Sequence, residues 1–423
     1  MRELPLLVIH TADVHIGVEN YGRPDPDTRT SSRLKDFLDT LDEVVNYSIE
    51  RQADIVLFCG DAYKSRNPTQ THQREFATRV SKLSSAGIQV FLLAGNHDSP
   101  NISGPATALD IFPTLHVENV HIGDTLKTHL VQTKSGPLQV VALPWIRKGQ
   151  FMSLVEFPEP GSLSTDKFND SIEAKLTTAI GALASSLDPK IPAILAGHVS
   201  IDSATTSSEK SMMLGKDYVL LKSSIALSEF DYVALGHIHR YQVLNESPRV
   251  VYPGSLQRID FGEENDTKGF CAIELDPKEP RGAREKSYEF VNVGARKFIT
   301  IKIIILETDL DPMSKIARSI QYHDVSGAIV QVFIEVPVSK YKDIDETRVR
   351  EMLSSSHYIA TVRRNMIAEN RNRLGKSLSE NIEPIDALNT YFEERKLPIV
   401  KRKLLIERGK QLIEETSRDE SVS

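Results

Sequence analysis

The 423-residue sequence is poor in cysteine, has no long apolar run and carries no excess of positive charge. Its two cysteines, Cys59 and Cys271, form no CxxC motif. Neither a disulfide framework nor a thiolate metal site is therefore predicted, and a reducing compartment is indicated. Apolar runs such as Ile303–Leu306 are too short to cross a bilayer. The run Leu6–Ile9, with no cleavage motif after it, is predicted to be a first strand rather than a signal peptide. We expect a soluble, cytoplasmic chain.

The net charge of −7 argues against a surface that is basic throughout. It does not argue against nucleic acid, because carboxylates around divalent metals lower the total charge and affinity for phosphates depends on local patches. With 40% hydrophobic and 26% charged residues the composition is that of a globular protein. The length exceeds what one compact core accommodates, so two or three domains are predicted.

One pattern recurs along the first two thirds of the chain: a short apolar run, a turn, and then a potential metal ligand. The ligand segments are Asp13-Val14-His15, Gly60-Asp61, Gly95-Asn96-His97-Asp98, Gly197-His198 and Gly236-His237-Ile238-His239. The apolar runs are typical of buried strands, and helical patterns at Leu34–Ser48 and Thr71–Ser84 lie between the first three. An α/β fold follows, with the ligands at the carboxyl ends of the strands, along one edge.

These residue types suit a pair of hard divalent cations, which favour carboxylate and amide oxygens together with imidazole. Two metals about 3.5–4 Å apart need a bridging carboxylate. We predict Asp61 as the bridge. Asp13, His15 and one of the last two histidines complete one position, and Asn96, His198 and the other histidine, of the pair His237 and His239, complete the second.

His97 remains uncoordinated in this arrangement and is predicted to be catalytic. An imidazole at this place stabilises the transition state or protonates the leaving oxygen. The neighbouring Asp98 is predicted to orient the ring of His97.

In order and in spacing, the five segments resemble the motifs of the calcineurin-like metallophosphoesterases. The start His10–Gly17 and the segments Tyr252–Ser255 and Phe261–Glu263 resemble the branch of SbcD nucleases, which belong to the bacterial SbcCD complex. Some relatives carry a histidine shortly after the bridging aspartate, where this chain has Lys64. No predicted metal ligand is affected.

The resemblance implies a four-layer metallophosphoesterase sandwich with two Mn²⁺ ions. It also implies 3′-to-5′ exonuclease action on duplex DNA, endonuclease action on single strands and hairpins, and a place in DNA repair, recombination and replication. The implied partners are DNA and an SbcC-like, SMC-type ATPase, with two nuclease subunits forming a dimer within a heterotetramer. No membrane is involved, and the implied location is the cytoplasm, close to the nucleoid.

Residues 1–275 are predicted to form the nuclease domain. After a turn-rich stretch, residues 290–367 contain the strands Phe298–Leu306, Ala328–Val336 and Ile359–Met366 and the helices Pro312–Gln321 and Glu346–Ser354. They are predicted to form a small α+β domain, and the resemblance implies that this is a cap that helps to choose DNA substrates.

Residues 380–418 are predicted to form a pair of amphipathic helices, the first with Pro384, Ile385, Leu388 and Phe392 and the second with Leu405, Ile406, Leu412 and Ile413. They pack on the parent domain or on a partner. The resemblance implies that they bind the ATPase. The basic residues Arg395, Lys396, Lys401, Arg402 and Lys403 face DNA, an acidic partner or solvent.

Two other functions remain open from the residues alone. A metallophosphatase or nucleotidase for a small phosphoester would need the same ligands, and a non-catalytic scaffold would be free to lose them. The complete ligand set disfavours the scaffold, and the segments after residue 275 favour the nuclease. For DNA contacts, Lys64 and Arg66 are the best placed cations, while the loop Gly17–Arg33, with Arg23, Arg29 and Arg33, either holds a DNA backbone or is solvated.

Overall fold

The structure is a computed structural model that describes residues 5–26, 30–99, 106–146, 165–207, 218–367, 385, 388, 391–392 and 399–419. Its strands in the first two thirds are β1 Leu6–Thr11, β2 Ile55–Cys59, β3 Gln89–Leu93, β4 Val120–Gly123, β5 Lys127–Thr133, β6 Gly136–Leu143, β7 Ala193–His198, β8 Ser200–Ile201, β9 Val219–Leu220, β10 Tyr232–Gly236, β11 Gln242–Glu246, β12 Arg249–Tyr252, β13 Gly269–Leu275 and β14 Glu285–Asn292. The helices of this part are α1 Ser32–Glu50, α2 Gln70–Ser85, α3 Ile111–Thr114 and α4 Thr165–Ser185. Short 3₁₀ turns lie at Ala108–Asp110, Lys222–Ser224 and Phe261–Glu263.

Most of these strands form two six-stranded sheets. The first sheet has the order β14-β13-β1-β2-β3-β4, in which β1 to β4 are parallel and β13 runs antiparallel to β1. The second has the order β11-β12-β10-β7-β6-β5, with β6, β7, β10 and β12 parallel. Because parallel strands end at the same edge of a sheet, each sheet collects its ligand loops on one side.

The two sheets pack face to face. One apolar core takes alternate residues from both, among them Val8 and Leu57 of the first sheet and Ile194 and Ala234 of the second. A second core lies between the first sheet and the helices α1 and α2, and a third lies between the second sheet and α4. The predicted four-layer α/β sandwich is therefore confirmed, as are the strands and helices expected around the ligand segments.

The last part of the chain contains β15 Phe298–Ile304, β16 Ile329–Pro337 and β17 Tyr358–Ile367, in one sheet of that order. The helices α5 Pro312–Gln321 and α6 Glu346–Met352 and a 3₁₀ turn at Val338–Asp343 complete it. The predicted strands and helices of this part are present, with boundaries that differ by a few residues. Assignment of residues 290–367 to a DNA-binding cap stays a prediction.

The chain divides into two compact units. The first contains Met1–Ile301, Ile320–Gln331 and Arg350–Thr361, and so includes both large sheets and every predicted ligand. The second contains Lys302–Ser319, Val332–Val349 and Val362–Ser423.

The second unit includes the helix α7, Ile399–Asp419. A Cβ atom added at Gly409 of this helix would lie 2.6 Å from Cδ2 of Leu388. The side chain of Leu388 therefore packs against α7 at Gly409. Residues 385, 388 and 391–392 are helical, but Pro384, Arg395 and Lys396 lie outside the described residues. Within the described ranges, no helix is long and apolar enough to cross a membrane.

Candidate metal centre

The first two ligand loops of the first sheet are bonded to each other. The N–H of Asp13 donates to the carbonyl of Gly60 at 3.1 Å, and that of His15 donates to the carbonyl of Asp61 at 3.0 Å. Asp13, His15 and Asp61 have φ angles of 52°, 50° and 56°. This left-handed conformation costs a non-glycine residue free energy and persists only where the surrounding structure enforces it. The ligand side chains therefore leave a backbone that tertiary contacts hold in place.

The carboxylate of Asp61 lies in the middle of the predicted ligands. Its Oδ1 accepts a hydrogen bond from the N–H of His97 at 2.8 Å. Its Oδ2 lies 3.4 Å from Nε2 of His198 and 3.8 Å from Nε2 of His15. Asp61 thus has neighbours on both sides, as a bridging carboxylate requires.

Two histidines of the second sheet meet Asn96 from the first. Nε2 of His198 lies 2.9 Å from Oδ1 of Asn96, and Nδ1 of His237 lies 3.2 Å from the same oxygen. Nδ1 of His198 donates to the carbonyl of Cys59 at 2.8 Å, which fixes the ring and its tautomer. The N–H of His237 donates to both carboxylate oxygens of Asp13, at 3.1 and 3.0 Å.

His239 joins the other group. Its Nε2 lies 3.0 Å from Nε2 of His15, and Asp13, His15 and His239 offer ligand atoms within 4.8 Å of one another. The choice that the sequence left open is thereby resolved: His239 lies with Asp13 and His15, and His237 lies with Asn96 and His198. Asp61 stands between the two groups, and the structure brings every predicted ligand together.

The donor set fits divalent metal ions. Because Nδ1 of His198 already donates to a carbonyl, its Nε2 is the atom that faces the oxygens of Asn96 and Asp61. In the same way Nε2 of His239 faces Nε2 of His15. Acceptor atoms that face each other in a buried site need a proton or a metal cation between them. Imidazole, carboxylate and amide oxygen together are suited to manganese, iron or zinc.

The electrostatics of the centre point the same way. Burial disfavours the charged form of His198, but the neighbouring carboxylate of Asp61 outweighs it and raises the pKa of His198 to about 9. Burial likewise opposes ionisation of Asp61, yet His198 and the other nearby imidazoles outweigh it and lower the pKa of this carboxyl. Positive charge is therefore favoured next to Asp61, whereas burial raises the pKa of Asp13 and lowers the pKa of His15.

His97 lies beside these ligands and is partly exposed. One of its ring nitrogens is within 4.8 Å of ligand atoms of His15 and Asp61, and its ring stands edge-on to that of His15 with centroids 5.1 Å apart. Its Nδ1 donates to the backbone carbonyl of Lys64 at 2.8 Å, which leaves Nε2 to give or accept a proton. Lys64 thus contributes through its backbone at the position where some relatives have a histidine.

Asp98 has a different role from the predicted one. Instead of bonding to the ring of His97, its carboxylate accepts hydrogen bonds from the backbone N–H groups of Asp61, Ala62, Tyr63 and Gly95, at 2.8, 3.3, 3.3 and 3.1 Å. It is 1% exposed. Asp98 therefore ties the loop after β3 to the loop after β2, and it acts on the centre by holding those loops.

Two residues of the site were not singled out from the sequence. Nδ1 of His239 donates to Oε1 of Glu263 at 2.8 Å, and Oε2 of Glu263 pairs with Nζ of Lys268 at 2.7 Å. Glu263 is 0% and Lys268 2% exposed. A full charge at such burial needs a partner. No spacing in the sequence predicts this pairing, although Phe261–Glu263 is part of the resemblance to the SbcD branch.

Of the cations considered for DNA, Arg33 is excluded. It is 0% exposed, and its guanidinium donates to Asp36 at 2.7 Å and to the carbonyl of Arg258 at 2.5 Å. Arg23 and Lys64 are exposed and Arg66 is partly exposed. Arg29 lies outside the described residues.

The family model described as calcineurin-like phosphoesterase matches residues 6–241. The chain therefore belongs to the calcineurin-like phosphoesterases, the class of metal-dependent phosphoesterases that the sandwich and the ligand set define. Among characterised proteins, it is similar to SbcD of the nuclease SbcCD from Bacillus subtilis (strain 168), with 26% identity over 64% of this chain and 67% of that one. The protein of the same name from Staphylococcus epidermidis (strain ATCC 12228 / FDA PCI 1200) is 24% identical over 64% of this chain and 66% of its own. That from Escherichia coli (strain K12) is 25% identical over 82% of both. The chain thus spans about two thirds of the first two relatives.

Proposed function

We propose that this chain is the nuclease subunit of an SbcCD-type complex, a phosphodiesterase that cuts DNA with two metal ions, most favourably Mn²⁺. The observation that carries the proposal is the place of Asp61 between two complete ligand groups. The similarity to the SbcD nucleases points to DNA as the substrate. The proposed activities are 3′-to-5′ exonuclease action on duplex ends and endonuclease action on single strands and hairpins.

Asp13, His15 and His239 would hold one metal ion, Asn96, His198 and His237 the other, and Asp61 both. Bound there, such ions lower the pKa of a water and neutralise phosphate oxygens. The chain's own part is to fix the ligands: the carbonyl of Cys59 orients His198, and the backbone N–H of His237 orients the carboxylate of Asp13.

His97 would act on the leaving 3′ oxygen. Its bond from Nδ1 to the carbonyl of Lys64 holds the ring while Nε2 donates a proton or stabilises developing charge. We expect His97→Asn to keep Mn²⁺ and DNA binding and to lose cleavage. Cleavage by this variant at the wild-type rate would remove His97 from the mechanism.

The exposed side chains of Lys64 and Arg23 are proposed to contact DNA phosphates, and residues 290–367 to form the cap that selects substrates. Removing one phosphate contact lowers the slope of log DNA affinity against log salt concentration by about one. The variant Lys64→Met tests this through DNA affinity measured at several salt concentrations, and an unchanged slope would exclude Lys64.

The helix α7 is the proposed site for an SbcC-like ATPase, in a heterotetramer with two nuclease subunits located near the nucleoid. Leu404 on this helix is 69% exposed and so is open to a partner. Leu404→Glu is expected to weaken binding of the ATPase while Mn²⁺-dependent cleavage by the isolated chain is unchanged. Equal ATPase binding by both proteins would place the interface elsewhere.

The deciding experiment is cleavage of end-labelled duplex DNA by the purified chain with Mn²⁺, beside Asp61→Ala and a generic phosphomonoester. Cleavage that Asp61→Ala abolishes supports the nuclease. Turnover of the phosphomonoester with intact DNA would replace it by a metallophosphatase. If neither substrate reacts, even with the ATPase partner and ATP added, the nuclease proposal is wrong.

A further inference from the structure

The two ligand groups differ in what orients their histidines. Nδ1 of His198 donates to a neutral acceptor, the backbone carbonyl of Cys59. Nδ1 of His239 donates to a charged acceptor, the carboxylate of Glu263, at 2.8 Å. A carboxylate behind a ligating imidazole fixes the tautomer and makes the opposite nitrogen a stronger donor to metal. Of these two histidines, His239 therefore has a carboxylate support and His198 has a neutral one.

Glu263 is itself held on several sides. Its Oε2 pairs with Nζ of Lys268 at 2.7 Å and accepts the N–H of Ile259 at 3.2 Å. The same Nζ donates to Oγ of Ser255 at 2.8 Å and to the backbone carbonyl of His239 at 3.0 Å. Lys268 thus holds His239 twice, through its carbonyl and through the carboxylate that bonds to its ring.

A purely structural role does not account for this arrangement. Burying a carboxylate and an ammonium carries a desolvation cost, and an apolar pair of similar volume commonly stabilises a core as well or better. In this pair, however, each oxygen of Glu263 has its own partner: Oε1 faces the histidine ring and Oε2 faces the lysine. An apolar pair would fill the space but would leave His239 without an acceptor.

We infer that Glu263, held by Lys268, is a positioning residue that sets the metal affinity of the group formed by Asp13, His15 and His239. This inference rests on the proposed metal centre. Glu263 acts through His239, and its loss should weaken one of the two metal ions and spare the one at Asn96, His198 and His237. Loss of an outer partner of this kind costs roughly 10–100-fold in metal affinity.

The test compares two double variants of the full chain that both remove the ion pair and preserve volume. Glu263→Leu with Lys268→Met removes the acceptor for His239, whereas Glu263→Gln with Lys268→Met keeps an amide oxygen there. Binding of Mn²⁺ is followed by the electron paramagnetic resonance of the free ion, which counts bound ions without any turnover. We expect the Leu/Met protein to bind one ion roughly 10–100-fold more weakly than the wild type, with the Gln/Met protein between the two and the second ion unchanged.

Two controls accompany the test. Asp231 and Arg284 form another buried ion pair, 3.1 Å apart, at the opposite end of β10 from His237. Asp231→Leu with Arg284→Met should leave both Mn²⁺ affinities unchanged. Trp145 is the only tryptophan of the chain, and its ring centroid lies 5.1 Å from that of His237. Its unchanged emission in the metal-free variants would show that the centre is still folded.

The outcomes are distinct. Binding of both Mn²⁺ ions by the Leu/Met protein with wild-type affinity would overturn the inference and leave the metal centre standing, as would equal weakening of both ions. A wild-type chain that binds fewer than two Mn²⁺ ions would overturn the proposed centre, and the inference with it.

Discussion

The two sheets supply different ligands and hold them in different ways. The loops of the first sheet supply Asp13, His15, Asp61 and Asn96, and they are bonded to one another: the backbone after β1 pairs with that after β2, and Asp98 ties the loop after β3 to that after β2. These three loops therefore hold one another in place, and we call them the frame. Such strained, mutually supported loops are typical of preorganised sites.

The second sheet supplies the other histidines, and two of them are held by the first sheet. His198 is oriented by the carbonyl of Cys59, and the N–H of His237 donates to Asp13. His239 has a hydrogen-bonded support outside the first-sheet loops, the carboxylate of Glu263. A substitution that disturbs the first-sheet loops should therefore affect both ligand groups. Loss of a second-sheet histidine should affect mainly the group to which it belongs.

The largest effect is expected at Asp61, because both ligand groups share its carboxylate. Asp61→Asn should lower Mn²⁺-dependent cleavage by more than the roughly 100-fold lost with an outer partner, and should weaken both bound ions. His198→Ala, the local counterpart in the second sheet, should weaken mainly one ion. Counting bound Mn²⁺ in both variants measures the contrast. If Asp61→Asn weakened only one ion, Asp61 would not be shared.

The contact between the sheets next to the centre is the next most sensitive. A Cβ at Gly236 would lie 1.9 Å from the carbonyl oxygen of Cys59 and 2.9 Å from Cβ of Ala12. Gly236→Ala must therefore push the sheets apart, and we expect it to lower the free energy of unfolding by about 3 kcal/mol. Gly181→Ala, in α4 with nothing within 4 Å, is the matched control and should not destabilise the chain. Urea unfolding measures both, and equal midpoints would show that the sheets adapt.

The bond network of Asp98 tests the frame itself. Asp98→Asn replaces a carboxylate oxygen by an amide N–H₂ among buried backbone donors, and about 2 kcal/mol of unfolding free energy should be lost. Asp39→Asn removes a carboxylate that is 56% exposed in a pair with Lys35, and it should change little. If both variants unfolded at the same urea concentration as the wild type, the hydrogen bonds of Asp98 would not be what stabilises these loops.

The smallest effect is expected where His10 of β1 reaches the second sheet, with ring nitrogens 2.9 Å from the hydroxyl of Tyr232 and 3.1 Å from the carbonyl of Leu235. Burial lowers the pKa of His10 to about 3. Below pH 6.5 the imidazole of His10 binds a proton in the unfolded chain but stays neutral in the folded chain. The free energy of unfolding therefore falls as the pH falls. At pH 5.5 this protonation of His10 lowers the free energy of unfolding by about 1 kcal/mol.

His10→Gln removes the titrating imidazole. The free energy of unfolding of this variant should therefore change less between about pH 7 and about pH 5.5 than that of the wild type. Thermal unfolding at the two pH values checks it. Parallel losses in both proteins would mean that His10 is not the group that titrates.

Local patterns in the sequence predicted an α/β fold and the set of side chains that the structure brings together, because each of these side chains follows its own apolar run. The sandwich itself was implied by the family resemblance. The local patterns did not predict which final histidine joins which group, since both follow the same strand and the choice depends on contacts with His15 and Asn96. Nor did they predict the role of Asp98, whose partners lie mostly in another loop.

The buried charges were the hardest to predict. The loop that contains Arg33 was predicted either to hold a DNA backbone or to be solvated, yet Arg33 is buried against Asp36. Lys268 was not singled out, and Glu263 was noted only within a segment that carries the family resemblance. Their burial depends on elements that are distant in sequence, and no local periodicity reports that.

The position of β1 in the first sheet has a consequence for synthesis. This strand pairs on one side with β2 and on the other with β13, so that Leu6 lies opposite Leu275. A chain that emerges from the ribosome presents Asp13 and Asp61 early, while His237, His239 and the strand β13 come much later. Domains fold as units during translation. The nascent chain therefore has no complete set of these side chains until most of the sandwich has left the ribosome.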